Sequence, residues 1–175
     1  MYPWSLTGAG ARPVPITMGT FHAETIIDAP IAEVFAFHRD TRNATRIAHP
    51  AQRILGVEGD FPLDVGDEVV LRVLVLPLPI PQRWRVRVAA LDEPTLLVDE
   101  TLDGPFRTFV HQHRFEDLGD GRTRLVDHIE YALPLGVLGR LADALVVARL
   151  MGPSFRHRQA RTRELLEADA RAAYA

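Results

Sequence analysis

The feature that most constrains the fold is a pair of alternating segments in the second half of the chain. Residues 108–118 and 122–133 each alternate two kinds of side chain, and Gly119-Asp120-Gly121 separates them. Alternation is typical of strands, because successive side chains of a strand point to opposite faces. The separator suits a three-residue hairpin loop with Gly121 in the left-handed region. We therefore predict an antiparallel hairpin over these residues.

The register of this hairpin brings ionisable side chains together. A three-residue loop sets Leu118 opposite Arg122, and His113 then lies directly opposite Asp127. The face concerned is otherwise apolar, so it must look into the core. Because a buried ionisable group needs a partner, the cluster is either paired internally or faces a wet cavity. The residues on this face are Phe109, His111, His113, Phe115, Leu125, Asp127, Ile129 and Tyr131.

A second hairpin is predicted just before the first. Residues 82–91 and 96–102 alternate in the same way around a turn at Asp92-Glu93-Pro94. Pairing Val88 with Val98 across that turn places the arginines of the earlier strand on the solvent face. The side chains that this register turns inward are Trp84, Val86, Val88 and Glu100.

Charge pairing favours that register. It sets Arg87 opposite Asp99 and Arg83 opposite Asp103 on the outer face. Opposite charges across a strand pair contribute about 0.2–1 kcal/mol each. Glu100 is therefore predicted to join the inward-facing histidines.

Composition limits the domain count and the partners. The chain of 175 residues is 47% hydrophobic, which suits one well-packed domain. We assign this domain to residues 20–170 and interpret residues 1–19, rich in proline and glycine, as an irregular leader. The net charge of -3 argues against nucleic acid as a partner. The chain has no cysteine and no lysine, which excludes disulfides, thiolate chemistry and lysine Schiff bases.

Hydropathy predicts a soluble, cytoplasmic protein. No apolar run approaches the roughly 20 residues of a membrane helix, and the N-terminus lacks a signal core. The apolar hairpin at residues 76–81 is either a rigid packed turn or a lid that makes transient membrane contact. We expect a monomer or a homodimer, and exposed Leu74 and Leu76 beside Arg72 favour the dimer.

Hydrophobic periodicity predicts the order of the elements. A strand at residues 20–28 is followed by a proline-initiated helix at 29–37 and a short helix at 41–47. From Val137 onward, helical spacing predicts a long C-terminal helix with a kink at Pro153. Because strands and helices do not alternate one by one, this order indicates an α+β domain. The other predicted strands are 52–58, 68–76, 82–91, 96–102, 108–118 and 122–133.

Two groups of residues resemble a known superfamily. The first is the strand-to-helix entry Asp28-Ala29-Pro30-Ile31-Ala32-Glu33-Val34-Phe35, and the second is the series Gly104-Pro105-Phe106, His111-x-His113-x-Phe115, Asp127 and Tyr131-x-Leu133-Pro134. From Thr20 to about Glu167 the chain resembles the START-like (SRPBCC) superfamily of polyketide cyclase/dehydrase and lipid-transport-like proteins, and within it a bacterial ligand-binding subgroup. The resemblance implies a helix-grip fold, in which a curved antiparallel sheet of about seven strands wraps around the long C-terminal helix.

The first functional hypothesis is a carrier or sensor rather than an enzyme. Members of the superfamily commonly hold lipids, polyketides, hormones or quinone-like molecules between sheet and helix. We therefore expect a hydrophobic small molecule there, with the polar residues orienting its head group. The predicted ligand-binding residues are Trp84, Val86, Glu100, Phe109, His111, His113, Asp127, Tyr131, Leu141 and Leu145.

The second hypothesis is a cyclase, dehydratase or hydrolase in the same cavity. His113 would be the general base, Asp127 would orient it, and Glu100 would be the acid. The same residues also fit a structural ion pair buried in the sheet. His111 and His113 with either carboxylate could form a two-histidine, one-carboxylate metal site. Because simple alternation produces the same spacing, we expect no metal and no other cofactor.

The third hypothesis is an interaction module. Five arginines between Arg149 and Arg163 lie on the predicted C-terminal helix with no acidic residue among them. An anionic surface would bind such a segment. A solvated helix face explains the same pattern, because Glu164, Glu167 and Asp169 follow directly.

Overall fold

A computed structural model of the protein describes residues 19–75, 80–134 and 147–173. Strand β1 is followed by helix α1, a 3-10 turn, the short helix α2, six more strands and helix α3. The strands are β1 (Gly19–Ile27), β2 (Gln52–Glu58), β3 (Glu68–Val75), β4 (Gln82–Asp92), β5 (Leu96–Asp103), β6 (Thr108–Gly119) and β7 (Arg122–Ala132). The helical elements are α1 (Ile31–Arg39), the 3-10 turn (Thr41–Asn43), α2 (Ala44–Ile47) and α3 (Ala148–Ala173).

The strands of the described chain form one antiparallel sheet in the order β1-β7-β6-β5-β4-β3-β2. The predicted α+β helix-grip class is therefore confirmed, and each predicted strand lies within two residues of its observed bounds. Helix α3 packs against β1 and α2. Of the predicted leader at residues 1–19, Gly19 belongs to β1 and the rest lies outside the described residues. Most of the 76–81 hairpin and the predicted helix over residues 137–146 also lie outside them.

Helix α1 begins where the chain leaves β1. Pro30 precedes its first residue, and the Pro30 carbonyl accepts hydrogen bonds from the backbone N–H groups of Glu33 and Val34. The apolar face of α1 is buried against the sheet, where the rings of Phe35 and Phe115 lie 5.4 Å apart. This packing holds the C-terminal end of α1 over the face of β6.

The register of the β6–β7 hairpin is confirmed, since His113 pairs with Asp127. The loop is one residue shorter than predicted, because Gly119 pairs with Arg122 and only Asp120 and Gly121 connect the strands. Both connecting residues have positive φ, 53° and 70°, as two-residue turns of this twist require. A bulge between Asp117 and Gly119 then restores the predicted pairing further along the strands.

The predicted register of the β4–β5 hairpin is wrong. Near the turn Ala90, not Val88, pairs with Val98, and bulges follow after Val88 and after Arg85. Arg87 consequently lies opposite Glu100 and forms an ion pair with it. Glu100 is therefore on the outer face and cannot join the histidines. Since strand residues alternate, the preceding residue Asp99 faces the cavity instead.

One of the two ion pairs predicted on the outer face is present. Arg83 lies 3.7 Å from Asp103 in the predicted ion pair, and both side chains are exposed. The core beneath the sheet is mostly apolar. Thr123 is fully buried in it, and its hydroxyl donates to the Ala29 carbonyl at 2.8 Å. Within the described residues, no helix is long and apolar enough to span a membrane.

Candidate functional site

A cavity of about 430 Å³ lies between the sheet, the short helices and α3. Most of its wall is aliphatic or aromatic, and these residues come from β2, β3, β4, β6, all three helices and the segments that connect the elements. The aliphatic part includes Ile47, Ile54, Leu63, Val69, Leu71, Val73, Val86, Val88, Val147, Leu150 and Met151. Two further parts of the wall differ in chemistry and are described in turn.

The aromatic patch consists of Trp84, Phe106 and Phe109. The ring of Phe109 lies 4.9 Å from that of Trp84 and 5.0 Å from that of Phe106. The indole N–H of Trp84 donates to Thr101 Oγ1 at 2.6 Å, so its one polar atom is satisfied. Tyr131 is buried behind the patch, with its ring 5.8 Å from that of Phe106.

The polar patch consists of His38, Asp99, His111, His113 and Arg158, all of which line the cavity. Alternation along β6 turns both of its histidines inward, and the paired strand β5 contributes the aspartate. The other two side chains come from the last turn of α1 and from α3. Four separate elements therefore converge on this patch.

Asp127 lies directly behind the polar patch and organises it. Its Oδ1 lies 3.0 Å from His111 Nε2 and 2.9 Å from His113 Nδ1. The first contact is a hydrogen bond, whereas the second has ion-pair distance without hydrogen-bond alignment. Gln159 on α3 donates to Oδ2 at 2.8 Å. One buried carboxylate thus ties α3 to both histidines of β6.

The two histidines of β6 have different pKa values and therefore different charges at neutral pH. Burial disfavours a charged His113, but Asp127 and Asp99, whose Oδ2 is 3.6 Å from His113 Nε2, raise its pKa to about 9. Burial and the nearby charge of His113 lower the pKa of His111 to about 4. Burial also penalises ionised Asp127, yet its contacts with both imidazoles hold its pKa well below the usual range. At neutral pH His113 is a cation and His111 is neutral.

Protonation states follow from these contacts. Ionised Asp127 can only accept, so neutral His111 carries its proton on Nε2 and leaves Nδ1 as an acceptor. His38 Nδ1 donates to the Val34 carbonyl at 2.8 Å, which leaves its Nε2 as an acceptor. Burial and the charge of His113 lower the pKa of His38 to about 3. The cavity wall therefore carries two neutral imidazoles and one imidazolium.

Arg158 supplies the second cation of the polar patch. Its guanidinium carbon lies 5.0 Å from the centre of the Phe155 ring. Burial lowers its pKa, and the guanidinium still remains charged at neutral pH. Among the residues that the structure describes, no carboxylate lies within ion-pair distance of it. The helix segment predicted to be a basic surface therefore contributes one arginine to the cavity.

The predicted site residues fall into four groups. Trp84, Val86, Phe109, His111 and His113 line the cavity. Asp127 and Tyr131 are buried directly behind the wall. Glu100 lies on the outer face with Arg87. Leu141 and Leu145 lie outside the described residues.

Sequence reasoning missed four residues that belong to the site: His38, Asp99, Arg158 and Gln159. Asp99 was assigned to the wrong face through the register error. A signal for Gln159 was present, because it lies four residues after Phe155 and seven before Leu166, and all three are buried on one face of α3. His38 carried no comparable signal.

Asp99, His111 and His113 have the right chemistry to hold a metal ion. One ligand atom from each lies within 4.8 Å of the others. The carboxylate of this set is thus Asp99, and neither Glu100 nor Asp127 as the sequence suggested. Metal binding would require His113 to lose its proton, so the affinity for a metal would rise with pH.

Comparison with known proteins identifies the family. The model of the family described as polyketide cyclase/dehydrase and lipid transport matches residues 18–167. No curated protein matches the sequence.

Solved structures share the fold at low sequence identity. TTHA0849 from Thermus thermophilus has a TM-score of 0.70 and 18% identity, covering 86% of this chain and 99% of its own. The Zhui aromatase/cyclase from a Streptomyces species has a TM-score of 0.69 and 20% identity, covering 89% and 98%. A START superfamily protein from Mycobacterium smegmatis has a TM-score of 0.62 and 15% identity, covering 85% and 97%. At these sequence identities the similarity shows only that the fold is shared. Because the family model spans most of the chain, the protein belongs to the polyketide cyclase/dehydrase and lipid transport family of the START-like (SRPBCC) superfamily.

Proposed function

We propose that the protein binds an apolar small molecule in the cavity, as a carrier or sensor. The observation that supports this most is the cavity itself, at about 430 Å³ with an aliphatic and aromatic wall. Ligand sites in proteins typically measure about 300–1,000 Å³ and combine an apolar lining with a few polar groups. The hydrophobic effect would supply the affinity, at roughly 25 cal/mol per Å² of apolar surface buried.

The polar patch would orient the ligand. His38 Nε2 and His111 Nδ1 are acceptors, while the guanidinium of Arg158 offers donors. Because Asp127 and Gln159 hold β6 and α3 together, these groups are fixed before any ligand arrives. Such preorganisation reduces the entropy cost of binding.

A matched pair of substitutions on β2 tests cavity binding. Ile54 lines the cavity, whereas its neighbour Leu55 is 42% exposed and does not belong to the cavity wall. We expect Ile54→Trp to fill the cavity and weaken binding of the neutral fluorescent probe N-phenyl-1-naphthylamine by about tenfold or more, or about 1.4 kcal/mol. Leu55→Trp should leave the affinity unchanged. Thermal unfolding of both variants checks that each is folded.

Two results would contradict the proposal. One is a folded wild-type protein that binds no apolar probe; the other is equal affinity in both tryptophan variants. Native mass spectrometry of the purified protein, followed by denaturing extraction, adds an independent readout. A released apolar molecule would support binding and identify the ligand class.

A second candidate function is acid–base catalysis on the bound molecule. His113, with a pKa of about 9, is a proton donor at neutral pH, and the adjacent neutral His111 is an acceptor; their ring centres are 3.9 Å apart. An acid beside a base in one apolar site is the arrangement that such chemistry needs. The pKa thus favours His113 as the acid, whereas the sequence suggested it as the base.

Conversion of the co-purified molecule tests this second candidate. We would incubate it with wild-type protein, with His111→Gln and with the outward-facing control His128→Gln, and follow its mass over time. Catalysis predicts a product with wild-type protein and with the control but not with His111→Gln. An unchanged molecule in all three samples would exclude catalysis and leave the carrier proposal intact.

A further inference from the structure

We propose that the molecule taken up by the cavity is an apolar carboxylic acid, and that Arg158 binds its carboxylate. This inference rests on the proposed function and specifies the ligand's head group. The guanidinium presents several N–H donors in one plane, which match the two oxygens of a carboxylate. The aromatic and aliphatic wall would enclose the hydrocarbon part of the same molecule.

The first argument is that no carboxylate of the described residues lies within ion-pair distance of Arg158, although the charges of Asp127 and Asp99 act on it from further away. It lines the cavity, and its guanidinium carbon lies 5.0 Å from the centre of the Phe155 ring. An aromatic face stabilises a cation but does not accept the in-plane N–H groups. A half-buried guanidinium that lines a cavity and has no carboxylate within ion-pair distance is suited to bind an anion.

The second argument is that the nearby carboxylates are already engaged. Asp127 contacts His111 and His113 through one oxygen and accepts from Gln159 through the other. Asp99 faces the His113 imidazolium at 3.6 Å. Asp127 could turn to Arg158 only by releasing His111 or Gln159. Asp99 could do so only by leaving Nε2 of His113 without its carboxylate.

The third argument concerns the charge of the head group. A cationic head group placed against Arg158 would face a guanidinium that has no carboxylate within ion-pair distance among the described residues. Like charges repel each other more strongly in a partly desolvated site than in water. An alcohol would avoid this repulsion but would lose the charge-assisted bonds of a carboxylate, which are roughly twice as strong as neutral ones.

Chain-matched competitors test the head group. The readout is displacement of the neutral probe N-phenyl-1-naphthylamine at pH 7 by dodecanoic acid, methyl dodecanoate, dodecanol or dodecylamine, each below its aggregation threshold. We expect the acid to bind about tenfold more tightly than the ester or the alcohol, which corresponds to about 1.4 kcal/mol. The amine should bind most weakly.

A matched pair of arginine variants assigns the effect to one residue. Arg158→Gln should remove the preference for the acid over the methyl ester, because the charge that distinguishes the two ligands then has no partner. Arg156→Gln is the control, because Arg156 is exposed on the same helix. If Arg158→Gln does not fold, the comparison of the acid with its methyl ester on the wild-type protein still tests the preference for a carboxylate.

The outcomes separate this inference from the proposed function. Binding of probe and alcohol with no preference for the acid would overturn the carboxylate assignment and leave apolar binding standing. A preference that survives Arg158→Gln would overturn the role of Arg158. Absence of all binding by the wild-type protein would overturn both proposals.

Discussion

The polar patch and the aromatic patch adjoin each other on one cavity wall, but different forces hold them in place. The polar patch depends on Asp127, whose charge fixes two imidazoles and one amide. The aromatic patch depends on ring packing, with centres 4.9 to 5.5 Å apart around Trp84. A network of buried charges fails when one member is removed or titrated. A cluster of rings responds instead to changes in volume and shape.

The largest expected effect tests the polar side of this contrast. Asp127→Ala would leave His111, His113 and Gln159 without their common partner inside the protein. Removing one partner of a buried ion pair typically costs about 3–5 kcal/mol. We expect a loss of this size in the free energy of unfolding measured in urea.

An exposed ion pair on the same hairpin provides the control. Glu116 lies 2.7 Å from Arg124, and both side chains are at least 40% exposed. Pairs of this kind contribute about 0–1 kcal/mol, so Glu116→Ala should have a small effect. Equal losses in the two variants would show that Asp127 has no special structural role.

The second effect is a dependence of stability on pH. His113 has a folded-state pKa of about 9, above its ordinary value of 6.5, so its contribution is complete below pH 6.5 and is lost as the pH rises through 9. By the linkage relation this loss is about 3 kcal/mol. His111 and His38, with pKa values of about 4 and 3, contribute above pH 6.5 and lose that contribution as the pH falls. Stability should therefore be greatest near pH 6.5.

Urea unfolding at a series of pH values measures this profile. His113→Gln should abolish the decline between pH 6.5 and 9, while His128→Gln, on the outer face, should keep it. Substitutions in the aromatic patch should lower the whole curve without changing its shape. A wild-type curve that is flat from pH 6.5 to 9 would contradict the charged state assigned to His113.

The third expected effect tests the packing of the aromatic patch by adding a methyl group at Gly104. A Cβ on Gly104 would lie 2.7 Å from Cδ1 of Trp84, and its φ of +154° is rarely adopted by other residues. Because Phe106 and Phe109 enclose the indole, it cannot move away freely. Overpacking of this kind typically costs about 1–3 kcal/mol, so Gly104→Ala should lower stability by that amount at every pH.

Gly56→Ala is the matched substitution, because a Cβ there meets nothing within 4 Å. It should leave stability nearly unchanged. Near-UV circular dichroism should report a changed indole environment in Gly104→Ala alone. An unaltered spectrum and unaltered stability would mean that the aromatic patch is looser than its distances indicate.

The two hairpins explain which parts of the site could be predicted. In β6–β7 the alternation is regular, and one bulge near the loop compensates for the shorter turn, so His113 and Asp127 were paired correctly. In β4–β5 two bulges shift the register, and alternation alone cannot locate a bulge. Charge pairing could not reveal the register error, because Asp99 and Glu100 are adjacent acids and either could pair with Arg87.

The remaining members of the polar patch depend on tertiary structure. His38 reaches the patch only because α1 packs over β6, where its ring lies 5.1 Å from that of His113. Arg158 lies within a run of arginines whose members cannot be told apart by composition. Which of them faces the cavity is decided by the rotation of α3, which Phe155 and Gln159 set by packing and hydrogen bonding.

The smallest expected effect isolates one hydrogen bond in the aromatic patch. Thr101→Val keeps the shape of the side chain but removes the oxygen that accepts from Trp84 Nε1 at 2.6 Å. The indole N–H would then be left without its partner, at a cost of about 1 kcal/mol. Thr101→Ser retains the oxygen and should lose less. Since no charge is involved, the pH profile of Thr101→Val should run parallel to that of the wild type. A loss confined to pH values above 6.5 would instead mean that Trp84 depends on the histidines, and that the two patches act as a single unit.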